Sequence, residues 1–340
     1  MTFGARMVKT GLAVTLALYA VSLFGLSSPV LAGVAAIFAM QPSIYRSWRY
    51  LIDQLQTNTL GAILAVFGGM VLSNDPIAVG LVCIVVIMIC LRLKMGDTIG
   101  TTLVTVIAVM EASGQWEFAL TRFSLSLIGI LAAFIINVTI APPKPKVQFN
   151  ALIKQTFNRL SLLLRTAISD EIKETVFRHE KRELENAIIL LVDKYKLMEE
   201  EQKKLKRTVF THARQLVVYK QMLNTLRKGF DVVDSIEQHY FQAVRTPELD
   251  QTFKLHLEKL IKYHEHILWK FDDKLKPNDH EEAWIEQEND VFLRKMLDKY
   301  AETRQGILRL SIVSSEIYEY GHQLERLDRL ARHSASESQQ

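Results

Sequence analysis

Six polar side chains interrupt or end the apolar runs of the first 141 residues and are the places where chemistry could occur: Gln41, Asn58, Arg92, Asp97, Glu111 and Asn137. A polar group at membrane depth is costly to bury, so each of them is a candidate for function. A carboxylate there could exchange protons, an arginine could attract an anion, and an amide could line a path for a solute.

Asp97 stands just before the fifth apolar run, in Gly96-Asp97-Thr98, and has two interpretations. As a proton-coupling carboxylate it would titrate within the membrane potential, which is worth about 2.3 kcal/mol per charge per 100 mV. As an N-cap at the membrane surface it would only start a helix, a position for which Asp is preferred. Arg92 likewise could attract an anionic substrate or extend its charge to the headgroups.

The other four candidates differ in their depth within the apolar runs. Asn58 is the deepest polar residue of the third run and the best candidate for lining a path. Gln41 and Glu111 end the two shortest runs. Asn137 lies within the sixth run and could face lipid, a neighbouring helix or the path.

The sequence contains no motif of catalysis or metal binding. Neither GxxxxGK followed by Ser or Thr, which binds ATP phosphates, nor the GxSxG of serine hydrolases occurs. His264-Glu265-His266 does not match HExxH, and alternate residues of a helix point about 200° apart. The net charge is +4, but the basic residues of the second half alternate with acidic ones. The sequence therefore predicts no enzyme, no metal or other cofactor and no nucleic-acid partner.

The hydropathy pattern predicts that six membrane-spanning helices position these side chains. A helix needs about 20 apolar residues to cross a bilayer, and the first and last runs meet this length. The second and fifth are shorter and need tilt or polar neighbours to complete a crossing. The predicted spans of this transport module, residues 1–141, are Val8–Leu26, Pro29–Met40, Thr57–Leu72, Ile77–Leu91, Ile99–Met110 and Phe123–Ala141. The third continues a helix that starts near Ser43, whose residues 43–56 are predicted to form an amphipathic extension at the cytoplasmic surface.

Residues that typically start or break helices lie at the ends of these runs. Ser28-Pro29 and Asp75-Pro76 are typical helix starts, and Gln41-Pro42-Ser43 separates the second span from the third. Arg6 and Lys9 before the first run also resemble the start of a signal peptide, but the run is long for one. The pattern favours a first helix that is retained.

The positive charges predict which side of the plasma membrane each loop faces. With a cytoplasmic amino terminus, the inner side collects Arg6, Lys9, Arg46, Arg49, Arg92, Lys94, Lys144 and Lys146. The outer side keeps Arg122, beside the acids Asp75, Glu111 and Glu117. This asymmetry predicts a multi-pass protein of the plasma membrane with both termini in the cytoplasm.

The six spans divide into two groups of three, and the middle span of each group is the short one. Because three is odd, the second group would be inverted relative to the first, which predicts a 3+3 inverted repeat. Short helices at corresponding positions of such repeats are typical of transport pathways. The predicted path therefore runs beside the second and fifth spans.

Residues 142–332 are charged, have helical periodicity and are predicted to form a cytoplasmic domain, so the fold class is all-α. Apolar residues between Val209 and Val244 alternate three and four apart, a heptad seam typical of coiled coils. With helices over 149–168, 171–198, 249–275 and 291–330, this predicts an antiparallel bundle of about five long helices. The seam could pack within one chain or between the chains of a homodimer. Residues 333–340 are polar and are predicted to form a disordered tail.

The amino-terminal half also contains a spaced set of small and polar residues: Gly4-Ala5-Arg6, Lys9-Thr10-Gly11, Pro29, Ala32-Gly33, Ala35-Ala36-Ile37, Gln41-Pro42-Ser43, Arg46-Ser47, Gln54, Asn58 and Gly61-Ala62. This set resembles the aromatic acid exporter family, part of the fusaric-acid-resistance-like superfamily. The resemblance covers the six-span module and extends to the helical carboxyl-terminal domain of the short bacterial members.

The resemblance implies a secondary transporter of the plasma membrane, which in larger relatives exports aromatic carboxylic acids at the expense of an ion gradient. Many of those relatives carry two modules in one chain, so a single module here implies a homodimer. The functional prediction is an exporter of small organic anions, with the lipid bilayer as its surroundings. Two alternatives stay open: a passive anion channel, since the superfamily also resembles plant malate channels, and a helical scaffold that the spans only anchor.

Overall fold

The computed structural model describes residues 4–72, 75–112, 116–140, 145–168, 173–204, 210–243, 245–271, 282–303 and 308–337. Within these ranges every regular element is a helix and no strand occurs, which confirms the predicted all-α class. The chain divides into two compact units, Met1–Lys144 and Pro145–Gln340.

Each of the six apolar segments predicted in the first unit forms a helix. The helices are α1 (Ala5–Leu23), α2 (Val30–Ala39), α3 (Ile44–Val71), α4 (Pro76–Arg92), α5 (Ile99–Glu111) and α6 (Trp116–Thr139), with a 3-10 turn over Gly96–Thr98 before α5. α2 packs mainly on α6 and α1, and α5 packs mainly on α3. The two short helices thus each lie against a long one.

The predicted Asp75-Pro76 start is confirmed at α4, whereas at α2 Pro29 holds the N-cap position that was predicted for Ser28. Ser43 is the N-cap of α3, and its hydroxyl accepts a hydrogen bond from the Arg46 backbone N–H at 3.1 Å. Pro76 occupies the first position of α4, where its missing N–H costs nothing. At α5 the N-cap interpretation of Asp97 is wrong, because Thr98 holds that position and Asp97 lies inside the 3-10 turn.

The first unit is apolar on its outside and small or polar on its inside. Large side chains such as Phe67, Ile77 and Met88 are exposed, while Ala13, Ala17, Ala32 and Ala36 form much of the interior, together with buried Gln54, Asn58 and Thr102. In water, so much exposed apolar surface would be unfavourable. Lipid is the surrounding that fits this surface.

Among the described residues, two helices are long and apolar enough to cross a membrane by length and composition: Arg6–Leu23 and Glu117–Thr139. Val30–Ala39 and Pro76–Arg92 are apolar but shorter. α3 is long, but its first half contains Arg46, Arg49 and Asp53. The prediction that all six helices cross a membrane is therefore not confirmed by helix length and composition.

The second unit contains six described helices rather than the five predicted: α7 (Pro145–Ile168), α8 (Glu174–Lys204), α9 (Phe210–Ser235), α10 (Pro247–Phe271), α11 (Glu282–Thr303) and α12 (Leu308–Glu337). The single helix predicted over 291–330 is wrong. α11 and α12 lie side by side, since the Tyr318 hydroxyl donates to Asp290 at 3.1 Å and the Asn289 amide donates to the Tyr318 carbonyl at 2.9 Å.

The end of α12 also differs from the prediction. The helix continues to Glu337, into the segment for which a disordered tail from His333 was predicted, and residues 338–340 lie outside the described part of the chain. The arginine and alanine residues before this point are good helix formers, and the polar character of the tail does not by itself end a helix.

The heptad seam of α9 packs inside the second unit. Tyr219, Leu223, Leu226 and Val233 are buried in a core shared with the other helices of this unit. α9 continues into a π-helical turn over Ile236–Tyr240, where the Tyr240 hydroxyl donates to Asp250 at 2.8 Å. The heptad seam therefore packs against helices of the same chain, and the homodimer stays a prediction.

Two buried histidines make the stability of the second unit depend on pH. Burial lowers the pKa of His256 to about 4 and that of His264 to about 3, from an ordinary value of 6.5. His256 Nε2 lies 3.1 Å from Asn289 Oδ1, and the Tyr320 hydroxyl lies 2.8 Å from His264 Nδ1. Because an unfolded chain protonates these rings near pH 6.5, it gains protons before the folded chain does.

We expect the free energy of unfolding of the second unit to fall as the pH drops from about 6.5 towards 4, and the loss to level off below the folded pKa values. At about 1.4 kcal/mol per pKa unit, His256 alone contributes on the order of 3 kcal/mol. Hydrogen exchange of α10 amides in the full chain measures this. His256→Gln should make the free energy of unfolding depend less on pH. His179→Gln is the control, because that ring is exposed, and it should leave the pH dependence unchanged. Identical pH profiles for the two variants would contradict the expectation.

Candidate functional site

A row of hydrogen-bonded polar side chains, hereafter the polar seam, lies between α3 and α5. The Gln54 amide donates to Asn58 Oδ1 at 2.7 Å, and the Thr101 hydroxyl donates to Gln54 Oε1 at 2.6 Å. One turn further along, the Thr102 hydroxyl donates to Thr57 Oγ1 at 3.0 Å. Buried polar groups are retained at a cost, and these satisfy one another across two helices.

The polar seam is narrow because small residues let the two helices approach closely. A Cβ atom added at Gly61 would lie 2.7 Å from Thr102 Cγ2 and 3.1 Å from Val106 Cγ2. Such contacts are typical of small residues at helix interfaces in membranes. Any side chain larger than hydrogen at Gly61 would therefore separate α3 from the threonines of α5.

A small cavity lies where α2, α5 and α6 meet. Its polar lining consists of Thr101, Thr105, Arg122 and Ser126, and its apolar lining of Leu31, Val34, Ala35 and Val104. Its volume is about 20 Å³, enough for about one water molecule. Thr101 belongs to both the cavity and the polar seam, so the two are joined through one hydroxyl.

Arg122 is the charged residue of this cavity. Its guanidinium carbon lies 4.7 Å from the centre of the Phe118 ring, and no carboxylate of the described residues lies within ion-pair distance. A guanidinium offers five N–H donors and matches a carboxylate with two parallel hydrogen bonds. The cavity therefore presents an anion-binding group that no anion of the described ranges already occupies.

Asn137 forms a second polar junction between α1, α6 and the start of α3. Its Oδ1 accepts a hydrogen bond from Lys9 Nζ at 3.1 Å, and its amide donates to Ser47 Oγ at 2.8 Å and to the Gln41 carbonyl at 3.1 Å. Lys9 is 7% exposed and has no carboxylate partner among the described residues. The three helix ends are thus held together around one amide.

The structure separates the six predicted site residues. Asn58 lies in the polar seam, Asn137 contacts neighbouring helices, and Gln41 joins that second junction through its backbone carbonyl. Arg92, Asp97 and Glu111 are exposed and belong to neither polar group nor to the cavity. No metal-binding cluster of His, Cys, Asp and Glu occurs in the described residues.

Sequence reasoning missed the residues that join the helices. Gln54, Thr101, Thr105 and Lys9 were not among the candidates, and Arg122 was placed only as an outer charge. A signal for them exists: Gln54 and Asn58 on α3, Thr101 and Thr105 on α5, and Arg122 and Ser126 on α6 are each four residues apart. That spacing puts both members of each pair on one helix face.

Comparison with known proteins identifies the family. Residues 1–140 match the family model described as aromatic acid exporter family member 1. The chain is also 34% identical over 336 residues to the UPF0421 protein YgaE of Bacillus subtilis (strain 168), which covers 97% of this chain and 95% of that relative. The chain belongs to the aromatic acid exporter family.

Other UPF0421 proteins match over a shorter stretch. UPF0421 protein OB2406 of Oceanobacillus iheyensis is 30% identical over 143 residues, 41% of this chain and 41% of that relative. UPF0421 protein BH2644 of Halalkalibacterium halodurans is 30% identical over 143 residues, 42% of this chain and 40% of that relative. Membership in this exporter family implies a membrane protein and suggests a transporter rather than an enzyme.

Proposed function

We propose that this chain is a multi-pass secondary transporter that exports small organic anions, with aromatic carboxylates as the substrate class. The observation that carries the proposal is the cavity between the two short helices α2 and α5, where Arg122 has no carboxylate partner among the residues that the structure describes. Family membership supports the direction and the class of substrate.

In this proposal all six helices of the first unit cross the plasma membrane, and both termini are cytoplasmic. The exposed apolar side chains around the first unit support a lipid environment. The asymmetry of the basic residues supports the orientation, because cytoplasmic loops are enriched in Lys and Arg. Short helices such as α2 and α5 can cross where neighbouring helices and local thinning shield their ends.

The path in this proposal runs along the faces of α2 and α5 and meets Arg122 within the membrane. A charged hydrogen bond between a guanidinium and an anion is stronger where water is scarce. The Ser126 hydroxyl can donate to the same anion, whereas the hydroxyls of Thr101 and Thr105 already donate to Gln54 Oε1 and to the Thr101 carbonyl. A cavity of about 20 Å³ is too small for an aromatic acid, so α2 and α5 must move apart during export, as the middle helices of an inverted repeat would.

The decisive experiment measures retention of a preloaded aromatic carboxylate such as benzoate, in cells that lack the protein and in cells that overproduce it, with and without an uncoupler. We expect overproduction to lower retention and the uncoupler to cancel the difference. Equal retention in all strains would exclude export of that acid. If loss of the acid from the cells is unchanged by the uncoupler and follows the anion's own electrochemical gradient, the result would instead support the passive channel.

The scaffold alternative makes a separate prediction about the second unit. If the helices only anchor the chain, the second unit expressed alone would restore a deletion phenotype. An anchor needs one span, whereas the first unit contains a polar seam and a cavity inside an apolar bundle. These buried polar groups favour transport, since they would be costly in a simple anchor.

A further inference from the structure

The second unit contains an open groove between α8, α9 and α12 that no part of the proposed transport path uses. Its volume is about 640 Å³, within the range of about 300–1,000 Å³ that is typical of small-ligand sites. The groove has room for an organic molecule with one or two rings.

The floor of the groove is apolar. Ile188, Ile189 and Val192 of α8 face Phe230 of α9 across it. Ile189 is 55% exposed, although its neighbour Ile188 is buried. An apolar body that lay on this floor would remove exposed surface from water, which favours binding.

Most charges at the rim of the groove neutralise one another. Lys228 Nζ lies 3.1 Å from Asp231 Oδ2 and 3.6 Å from Glu316 Oε2. Lys196 Nζ lies 3.9 Å from Asp193 Oδ1. Within the described residues, these pairs leave Arg227 and Arg326 as the lining cations without an ion pair, and Glu185 as the lining anion without one.

The contacts between helices place Glu185 away from Arg326. Lys181 contacts Asp234 and lies 2.5 Å from Glu237, so the start of α8 faces the end of α9. At the other end, the Gln221 amide donates to Gln323 Oε1 at 2.9 Å. Arg326, one turn beyond Gln323, therefore lies at the end of the groove remote from Glu185.

We propose that this groove binds a small organic carboxylate with a flat apolar body, its carboxylate on Arg227 and Arg326 and its body on Ile189 and Phe230. Two arginines over an apolar floor are complementary to such a molecule, because one end of it is charged and the other prefers to leave water. The site is distinct from the cavity of the first unit and does not depend on transport. It gives the second unit a ligand of its own.

The test uses the full chain in lipid nanodiscs, with Arg122→Ala in every variant so that the cavity of the first unit does not contribute. Equilibrium dialysis measures the affinity for 1-naphthoate and for 1-naphthylmethanol, its uncharged analogue. Arg227→Ala and Arg326→Ala are compared with Arg182→Ala, an exposed arginine of α8 outside the groove with no ion pair among the described residues.

We expect one 1-naphthoate site per chain, with affinity reduced about tenfold or more by Arg227→Ala and by Arg326→Ala, and unchanged by Arg182→Ala. The uncharged analogue should bind at least tenfold more weakly. No binding before the groove substitutions, or equal affinity in all three variants, would overturn the proposal. Circular dichroism verifies that each variant keeps its helices, and Ile189→Ser, at an exposed position, tests the floor independently of the arginines.

The same variants separate this inference from the proposed function. With Arg122 restored, benzoate export in cells reports on the first unit alone. Loss of 1-naphthoate binding with export intact would support the groove, whereas export that fails while the groove still binds would overturn only the transport proposal.

Discussion

Arg122→Ala is expected to raise the concentration of aromatic carboxylate needed for half-maximal export at least tenfold. The Arg122 guanidinium lines the cavity between α2, α5 and α6 and has no internal carboxylate partner in the described part of the chain. A hydrogen bond to a charged group contributes about 1.5–3 kcal/mol, and about 1.4 kcal/mol is a factor of ten. Export of a preloaded acid, normalised to the amount of protein in the membrane, measures the effect.

Arg122→Lys should retain part of the activity, because an ammonium keeps the charge but cannot make the paired hydrogen bonds of a guanidinium. Arg92→Ala is the matched control, since Arg92 is exposed at the end of α4 and outside the cavity. Full export by Arg122→Ala, or an equal loss in Arg92→Ala, would remove Arg122 from the path.

Gly129→Ala is expected to destabilise the first unit by roughly 3 kcal/mol, the upper end of overpacking effects. An added Cβ atom would overlap the carbonyl oxygen of Ala32 and lie 2.9 Å from Ala35 Cβ. A flexible side chain could move aside, but the backbone of α2 could not without separating from α6. Because Ala35 also lines the cavity, export should fall together with stability.

Thermal unfolding of the purified chain in detergent, followed by size-exclusion chromatography, measures this destabilisation. Gly80→Ala is the control, because an added Cβ atom there would meet nothing within 4 Å. Alanine also favours the helix over glycine by up to about 1 kcal/mol, so the control should be neutral or more stable. A Gly129→Ala chain as stable as Gly80→Ala would show that α2 and α6 do not pack this closely.

The helices of the first unit follow from local sequence. Hydropathy marks their length, and prolines and caps mark their ends, as Ser43 and Pro76 illustrate. Capping and proline effects act between residues about four positions apart or fewer, so they can be predicted from the local sequence.

The residues of the candidate site were predicted less well. Depth within an apolar run identified Asn58 and Asn137, which lie in buried hydrogen-bonded groups. Position at the start or end of an apolar run selected Asp97 and Glu111, which are exposed. Depth along a helix can be counted in residues, whereas the direction that a side chain faces depends on which helices pack against it.

The sequence by itself determined that this chain is helical, where most of its helices begin and end, and that its first part is suited to lipid. Only the tertiary structure decided that Thr101 meets Gln54, that Lys9 meets Asn137, and that Arg122 shares a cavity with two threonines and a serine. Helix formation depends on neighbours a few residues away, but these contacts join residues 47 and 128 positions apart. They depend on how closely small residues such as Gly61 and Gly129 allow the helices to approach, and that distance is a property of the packed bundle.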